Sequence, residues 1–115
     1  MQIIEGENYT VQSDDQTATI KFQGSLRLSG PAAYAPIDQL MGDLLQQKPD
    51  LITLELRDLK FLNSSGISMI SKFVIRVRSA QTVGMTVVGS EDTPWQGKSL
   101  KNLQRLLPSL EIVLK

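Results

Sequence analysis

The run LITLELRDLKFLNSSGISMISKFVIR, residues 51–76, passes from strand to helix through a polar interruption. Its first six residues, 51–56, are rich in Leu, Ile and Thr and too short for a helix, which reads as a well-buried strand. From Ile67 the period changes. Ile67, Ile70, Phe73, Val74 and Val77 recur at helical spacing, with Lys72, Arg76 and Ser79 on the opposite side, so a helix is expected over 64–80. Between strand and helix lies LNSSGI (62–67), two serines and a glycine flanked by large apolar residues.

Working outward, VGMTVVGS (83–90) is a β-branched strand closed by Gly89. EDTPWQGK (91–98) is a polar loop, and a short helix carrying Leu100, Leu103, Leu106 and Leu107 stops before Pro108; LEIVL (110–114) is the last strand. Upstream, Ile37, Leu40, Met41, Leu44 and Leu45 trace one face of a helix entered at Pro36 and closed by Pro49. Gly42 on this helix marks a close packing contact. Residues 25–36, with two prolines and a Gly-Pro step, read as an irregular connection. YTVQSD (9–14) and TATIKFQG (17–24) are strands joined by a tight turn at Asp14-Asp15-Gln16, and residues 2–5 can add an edge strand. The order β-β-α-β-α-β-α-β implies an α/β fold: a mixed sheet with a leading hairpin, right-handed parallel crossovers, and helices packed on it. Functional loops in such sheets lie where strands end and helices begin, and NSSG occupies such a place.

The composition suits one domain. The chain has 115 residues, 41% hydrophobic and 21% charged, enough to bury a core of its own. No run of about 18 apolar residues is present and the N-terminus has no secretory pattern, so the cytoplasm is the expected compartment, with no membrane partner. There is no cysteine and no histidine. Their absence removes thiol chemistry, most zinc sites and every Ser-His nucleophile, so neither an enzyme nor a metal or other cofactor is expected. Net charge is zero, but residues 1–56 carry three basic and eight acidic side chains and residues 57–115 nine and four. Solvated faces of both signs account for this, and with aromatics at 5% no nucleic-acid partner is expected.

Asn63, Ser64 and Ser65 include good N-caps, which explains one of the three polar residues but not two adjacent hydroxyls beside Gly66. A helix N-terminus also favours negative charge, so a phosphate on Ser64 fits there and would repel an acidic or apolar docking surface. Ser65 is the second candidate. Nucleophilic chemistry at either serine is not expected, because no histidine exists and no G-x-S-x-G elbow surrounds them.

Residues 51–76 resemble the central part of the STAS domain, the fold of bacterial anti-sigma-factor antagonists, in which a buried strand, an L-x-F link and a D-S-[ST]-G-[IL] motif lead into a helix. Leu59-Lys60-Phe61-Leu62 and Asn63-Ser64-Ser65-Gly66-Ile67 stand in those places, and the element order extends the resemblance over most of the chain. The resemblance implies a signalling protein of transcription regulation that works by partner switching. Ser64 would be phosphorylated by an anti-sigma factor with serine kinase activity, bound in the unphosphorylated state, and reset by a PP2C-type phosphatase. Two departures stand out. Asn63 replaces Asp, keeping a cap oxygen and losing a charge, and the chain ends at its last strand where many antagonists add a C-terminal helix. That missing helix would leave an apolar face for self-association, as in a homodimer. The same departures favour the alternative of a STAS-like adaptor or assembly subunit that binds constitutively.

Three further residues are weaker candidates for partner contact: Lys72 and Arg76, four apart on the motif helix, and Trp95, the only tryptophan, in a proline-containing loop. The GKS at 97–99 is not a phosphate-binding loop, since residue 92 is Asp where glycine is required. Ser99 is instead expected to cap the last helix.

Overall fold

The computed structural model describes residues 2–115. Nine elements follow one another: β1 (Gln2–Glu5), β2 (Tyr9–Asp14), β3 (Thr19–Leu26), α1 (Gly30–Gln46), β4 (Leu51–Leu62), α2 (Ser64–Ala80), β5 (Gly84–Gly89), α3 (Pro94–Leu106) and β6 (Glu111–Leu114). The six strands form one sheet in sequential order, β1-β2-β3-β4-β5-β6. β1, β2 and β3 pair antiparallel; β3 to β6 pair parallel. Sequential order with right-handed crossovers places all three helices on one face of the sheet, with α2 packed between α1 and α3.

Alternation along the strands builds the core. Ile20 on β3 pairs with Leu54 on β4, and Leu54 pairs with Val87 on β5; all three are fully buried on the helix side. Tyr34, Ile37, Leu40, Met41 and Leu44 of α1, with Ile70, Phe73, Val74 and Val77 of α2, close over them. The uncovered face presents Thr10, Gln12, Thr19, Lys21, Thr53, Glu55 and Thr86, with Val88 and Val113 toward one edge. This face is mixed rather than the continuous apolar surface expected for self-association: the alternate residues of β2 and β3 are polar, while Ile3 on β1 and Leu51 on β4 are exposed there.

Residues 2–5 form the expected edge strand. β3 lies two residues later than the expected 17–24, and three other boundaries differ more from the sequence reading. α1 begins at Gly30, ahead of the expected Pro36, since Pro31 sits in its first turn where a missing N–H is harmless. α3 begins at Pro94 with Thr93 at its N-cap position, so Ser99 lies inside the helix and caps nothing. β4 runs for twelve residues, taking in the stretch read as a link. Its pairing with β3 shifts register twice, between Lys21 and Gln23 and between Gly24 and Ser25, each time with an extra residue on β4. Such bulges re-aim side chains and strengthen twist, and here they change the burial rhythm so that Leu56, Leu59 and Leu62 point inward while Lys60 and Phe61 point out.

Candidate functional site

β5 pairs with β4 only as far as Glu55, so the bulged half of β4 leaves the body of the sheet with one edge lacking a strand partner. α2 starts directly after it. Asn63 at the junction has extended backbone and is held on every side. Its Oδ1 accepts from the Gly66 N–H at 3.0 Å and from the Tyr34 hydroxyl at 2.7 Å, while its Nδ2 donates to the Leu28 carbonyl at 2.8 Å. Its own N–H donates to the Leu26 carbonyl at 3.1 Å. One residue therefore ties together β3, through its main chain, and the β3–α1 connection, α1 and the first turn of α2, through its side-chain amide. The expected N-cap is present, and the amide adds what a carboxylate cannot, a donor to Leu28.

Tyr34 is 1% exposed, and burial pushes its hydroxyl above the usual tyrosine value, with a Leu28 backbone hydrogen bond opposing. Gly66 makes room for it. A methyl group there would lie 2.8 Å from the Tyr34 oxygen and closer still to Leu62 Cδ1. The glycine of the motif is thus a close-approach residue, required by Tyr34 and Leu62 rather than by an unusual backbone angle.

The two serines part company. Ser64, the first helical residue, is exposed at the tip; Ser65 is half-buried and faces a groove between α1 and α2 of about 380 Å³. Pro31, Tyr34 and Met69 give that groove an apolar floor, and Ser65, Ser68, Asp38, Lys72 and Arg76 give it a polar wall. Asn63 satisfies the third N–H of α2, leaving those of Ser64 and Ser65 without an intrahelical acceptor, and no acidic residue occupies the first turn. The helix end offers a phosphate two free donors and a favourable dipole.

Arg76 reaches across to α1, with Nη1 3.3 Å from Asp38 Oδ1 and its guanidinium over Gly42, which is the close contact expected at that glycine. Lys72 lines the same groove, so Ser65, Lys72 and Arg76 are brought together while Trp95 lies on the other flank of α2. The Trp95 indole is half-buried and donates to the Lys60 carbonyl at 3.0 Å. Beside it sits a residue the sequence reading missed. Gln96 is fully buried; its Nε2 donates to the Leu56 and Leu59 carbonyls at 2.7 and 3.0 Å, and its Oε1 accepts from the Ser90 N–H at 2.7 Å. It stands in for the strand that the bulged end of β4 lacks, and Gly89 leaves space for it, since a methyl group there would lie 2.8 Å from Gln96 Oε1. A glutamine in a polar loop gives no such signal in one sequence. On the outer face of β4, the Arg27 guanidinium stacks on the Phe61 ring, 4.2 Å from its centre.

No protein-family model matches the chain, and no curated protein is a significant match. Solved structures do resemble it. A chain in the crystal structure of the diguanylate cyclase SiaD in complex with its activator SiaC, from Pseudomonas aeruginosa, superposes with a TM-score of 0.75 at 14% identity, covering 100% of both chains. SiaC of Pseudomonas aeruginosa superposes with a TM-score of 0.70 at 14% identity, covering 100% of this chain and 98% of that one. An anti-sigma factor antagonist from Mycobacterium paratuberculosis superposes with a TM-score of 0.62 at 17% identity, covering 94% of this chain and 90% of that one. At these identities the likeness speaks to architecture, and it agrees with the resemblance carried by residues 51–76. The chain has the STAS-like fold of anti-sigma-factor antagonists.

Proposed function

We propose that this protein is a regulatory interaction module whose binding to a protein partner is set by phosphorylation of Ser64. The observation that carries the reading is the contrast within the motif. Asn63 and Gly66 are immobilised by Tyr34, Leu28 and Leu62, and Ser64 alone is presented to solvent on that rigid tip. A phosphate there adds about −1.5 to −2 charges without disturbing the core, and a docked partner senses it directly. In the partner-switching scheme the partner is an anti-sigma factor with serine kinase activity, and a PP2C-type phosphatase reverses the modification. The fold shared with an antagonist and with an activator of another protein supports binding rather than catalysis.

Phosphopeptide mapping of the protein isolated from its own cells, with pull-downs comparing wild type, Ser64→Ala and Ser64→Asp, tests this. Ser64→Asp is expected to lose the partner and Ser64→Ala to keep it. If Ser64 never carries phosphate and Ser64→Asp binds like wild type, the switch is wrong.

A second reading is favoured by the Asn63 amide. Its bond to Leu28 makes the motif serve packing, which suits a constitutive adaptor in which Ser64 carries no phosphate. That reading predicts that Ser64→Asp is nearly silent and that binding is lost instead through Arg76→Glu.

A further inference from the structure

α2 and α3 together carry six cations, Lys72, Arg76, Arg78, Lys98, Lys101 and Arg105, and no acidic residue. Internal partners account for two. Arg76 pairs with Asp38 of α1, and Arg78 Nη1 donates to the Leu106 carbonyl at 3.0 Å, closing the C-terminus of α3. Lys72, Lys98, Lys101 and Arg105 have no ion-pair partner among the described residues. Helix electrostatics do not explain them all. Cations favour the last turn and acids the first, yet neither helix has an acid in its first turn, and Lys98 lies in the N-terminal half of α3.

These side chains are exposed on the solvent side of α2 and α3, with Lys72 on the ridge of α2 that also borders the α1–α2 groove. Lys98, Lys101 and Arg105 recur at i, i+3 and i+7, a single outward stripe on α3. On α2 the outward ridge carries Ile75, at 37% one of four large hydrophobic side chains left exposed among the described residues. Lys72 and Arg78 lie three residues on either side of it. An apolar centre rimmed by charge of one sign, with no carboxylate beside it on either helix, is the composition of a binding patch.

We infer that the α2–α3 face is a second interaction surface, separate from the Ser64 tip, and that it receives an acidic segment of a protein partner bearing an apolar side chain for Ile75. Polynucleotides fit this surface less well. Phe73 is buried, and Trp95 is half-buried and tied to Lys60, so the face offers no aromatic on which bases could stack. A chain of zero net charge also lacks the overall field that draws nucleic acid.

NMR amide-shift mapping on the full chain tests this with a synthetic peptide rich in glutamate and leucine. Polyglutamate, a short DNA duplex and phosphatidylserine vesicles serve as rival probes. The peptide is expected to shift the amides around Lys72, Ile75, Lys101 and Arg105, to bind more tightly than polyglutamate, and to weaken as salt rises. Ile75→Ser and the double variant Lys101→Glu/Arg105→Glu should each lower its affinity about tenfold while retaining the dispersed spectrum of the folded chain. Ser64→Asp should leave the binding in place, so the result does not depend on the motif being a switch. Absence of shifts on this face overturns the inference, as does unchanged affinity in the charge-reversed protein. Tighter binding of the duplex or the vesicles overturns it in favour of that other class of partner.

Discussion

Replacing Asn63 with Asp restores the residue found in the D-S-[ST]-G-[IL] motif and should nevertheless destabilise this chain. The cap survives, because one carboxylate oxygen can still accept from Gly66 and Tyr34. The other oxygen then faces the Leu28 carbonyl, now 2.8 Å from Nδ2, with no proton between them. Losing that bond removes about 1 kcal/mol, and the part-buried acceptor left unmatched adds about 1 kcal/mol more. A charge at the helix N-terminus returns about 0.3–1 kcal/mol. The balance is a loss of about 1–2 kcal/mol, or a fall in Tm of about 4–8 °C for a chain of this size. Urea and thermal unfolding at neutral pH, wild type beside Asn63→Asp, give the number directly. The deficit should narrow near pH 3, below the ordinary Asp value of about 3.9, since a protonated carboxyl can donate to Leu28 as the amide does. A variant as stable as wild type at neutral pH would refute the claim that the Asn63 donor holds the β3–α1 connection.

Other positions give separate tests. Gln96→Leu keeps the side-chain volume but strands the Leu56 and Leu59 carbonyls and the Ser90 N–H, so urea unfolding should show a loss of about 2–4 kcal/mol. Gly42→Ala should stabilise by about 0.5–1 kcal/mol: helix propensity favours alanine, and the atom it displaces is the far end of the exposed Arg76, whose pair with Asp38 contributes little. A destabilised Gly42→Ala protein would mean that the Arg76 contact matters more than exposed pairs do. Tyr34→Phe should lose about 1 kcal/mol below pH 10.0, where the tyrosine is neutral in folded and unfolded chains alike. Burial raises the folded pKa above 10.0, so the neutral hydroxyl's contribution is lost as pH rises through the folded value, and the gap between wild type and variant should shrink there. A gap that stays constant above pH 10.0 would argue against a buried Tyr34 hydroxyl.

Much of this architecture is legible because period and burial coincide. Ile67, Ile70, Phe73, Val74 and Val77 announce α2, and Ile20 and Phe22 alternate as they do in the sheet. Sequence misleads where local pattern and tertiary partner disagree. Leu56, Leu59 and Leu62 recur every third residue, which resembles neither strand nor helix, and only pairing with β3 across two bulges makes them a strand. α1 started early for a similar reason: Ala32 and Ala33 are exposed, so the first turn has no apolar stripe to betray it. At the site, the capping preference of Asn identifies Asn63 from sequence alone. Tyr34 and Gln96, which meet the motif from 29 residues upstream and the bulged strand from 40 and 37 residues downstream, have no local signature.

Those long-range contacts explain why a polar tripeptide can stand rigidly at the edge of an apolar layer. The bulges swing the end of β4 away from β5 and expose its carbonyls. Gln96 and Trp95 of α3 satisfy Leu56, Leu59 and Lys60 on one side, and Asn63 with Tyr34 of α1 fixes the exit on the other. The tip bearing Ser64 is therefore braced by α1 and by α3, both outside the motif itself. Charge added at Ser64 meets a frame whose side-chain polar groups are already paired and whose two free N–H groups favour it, so its effect falls on whatever docks there rather than on the fold. A Ser64→Asp protein should accordingly unfold within about 0.5 kcal/mol of wild type, even if its partner binding is abolished. Unfolding at a markedly lower urea concentration would show instead that the tip yields to charge, and that any switch at Ser64 works through local melting.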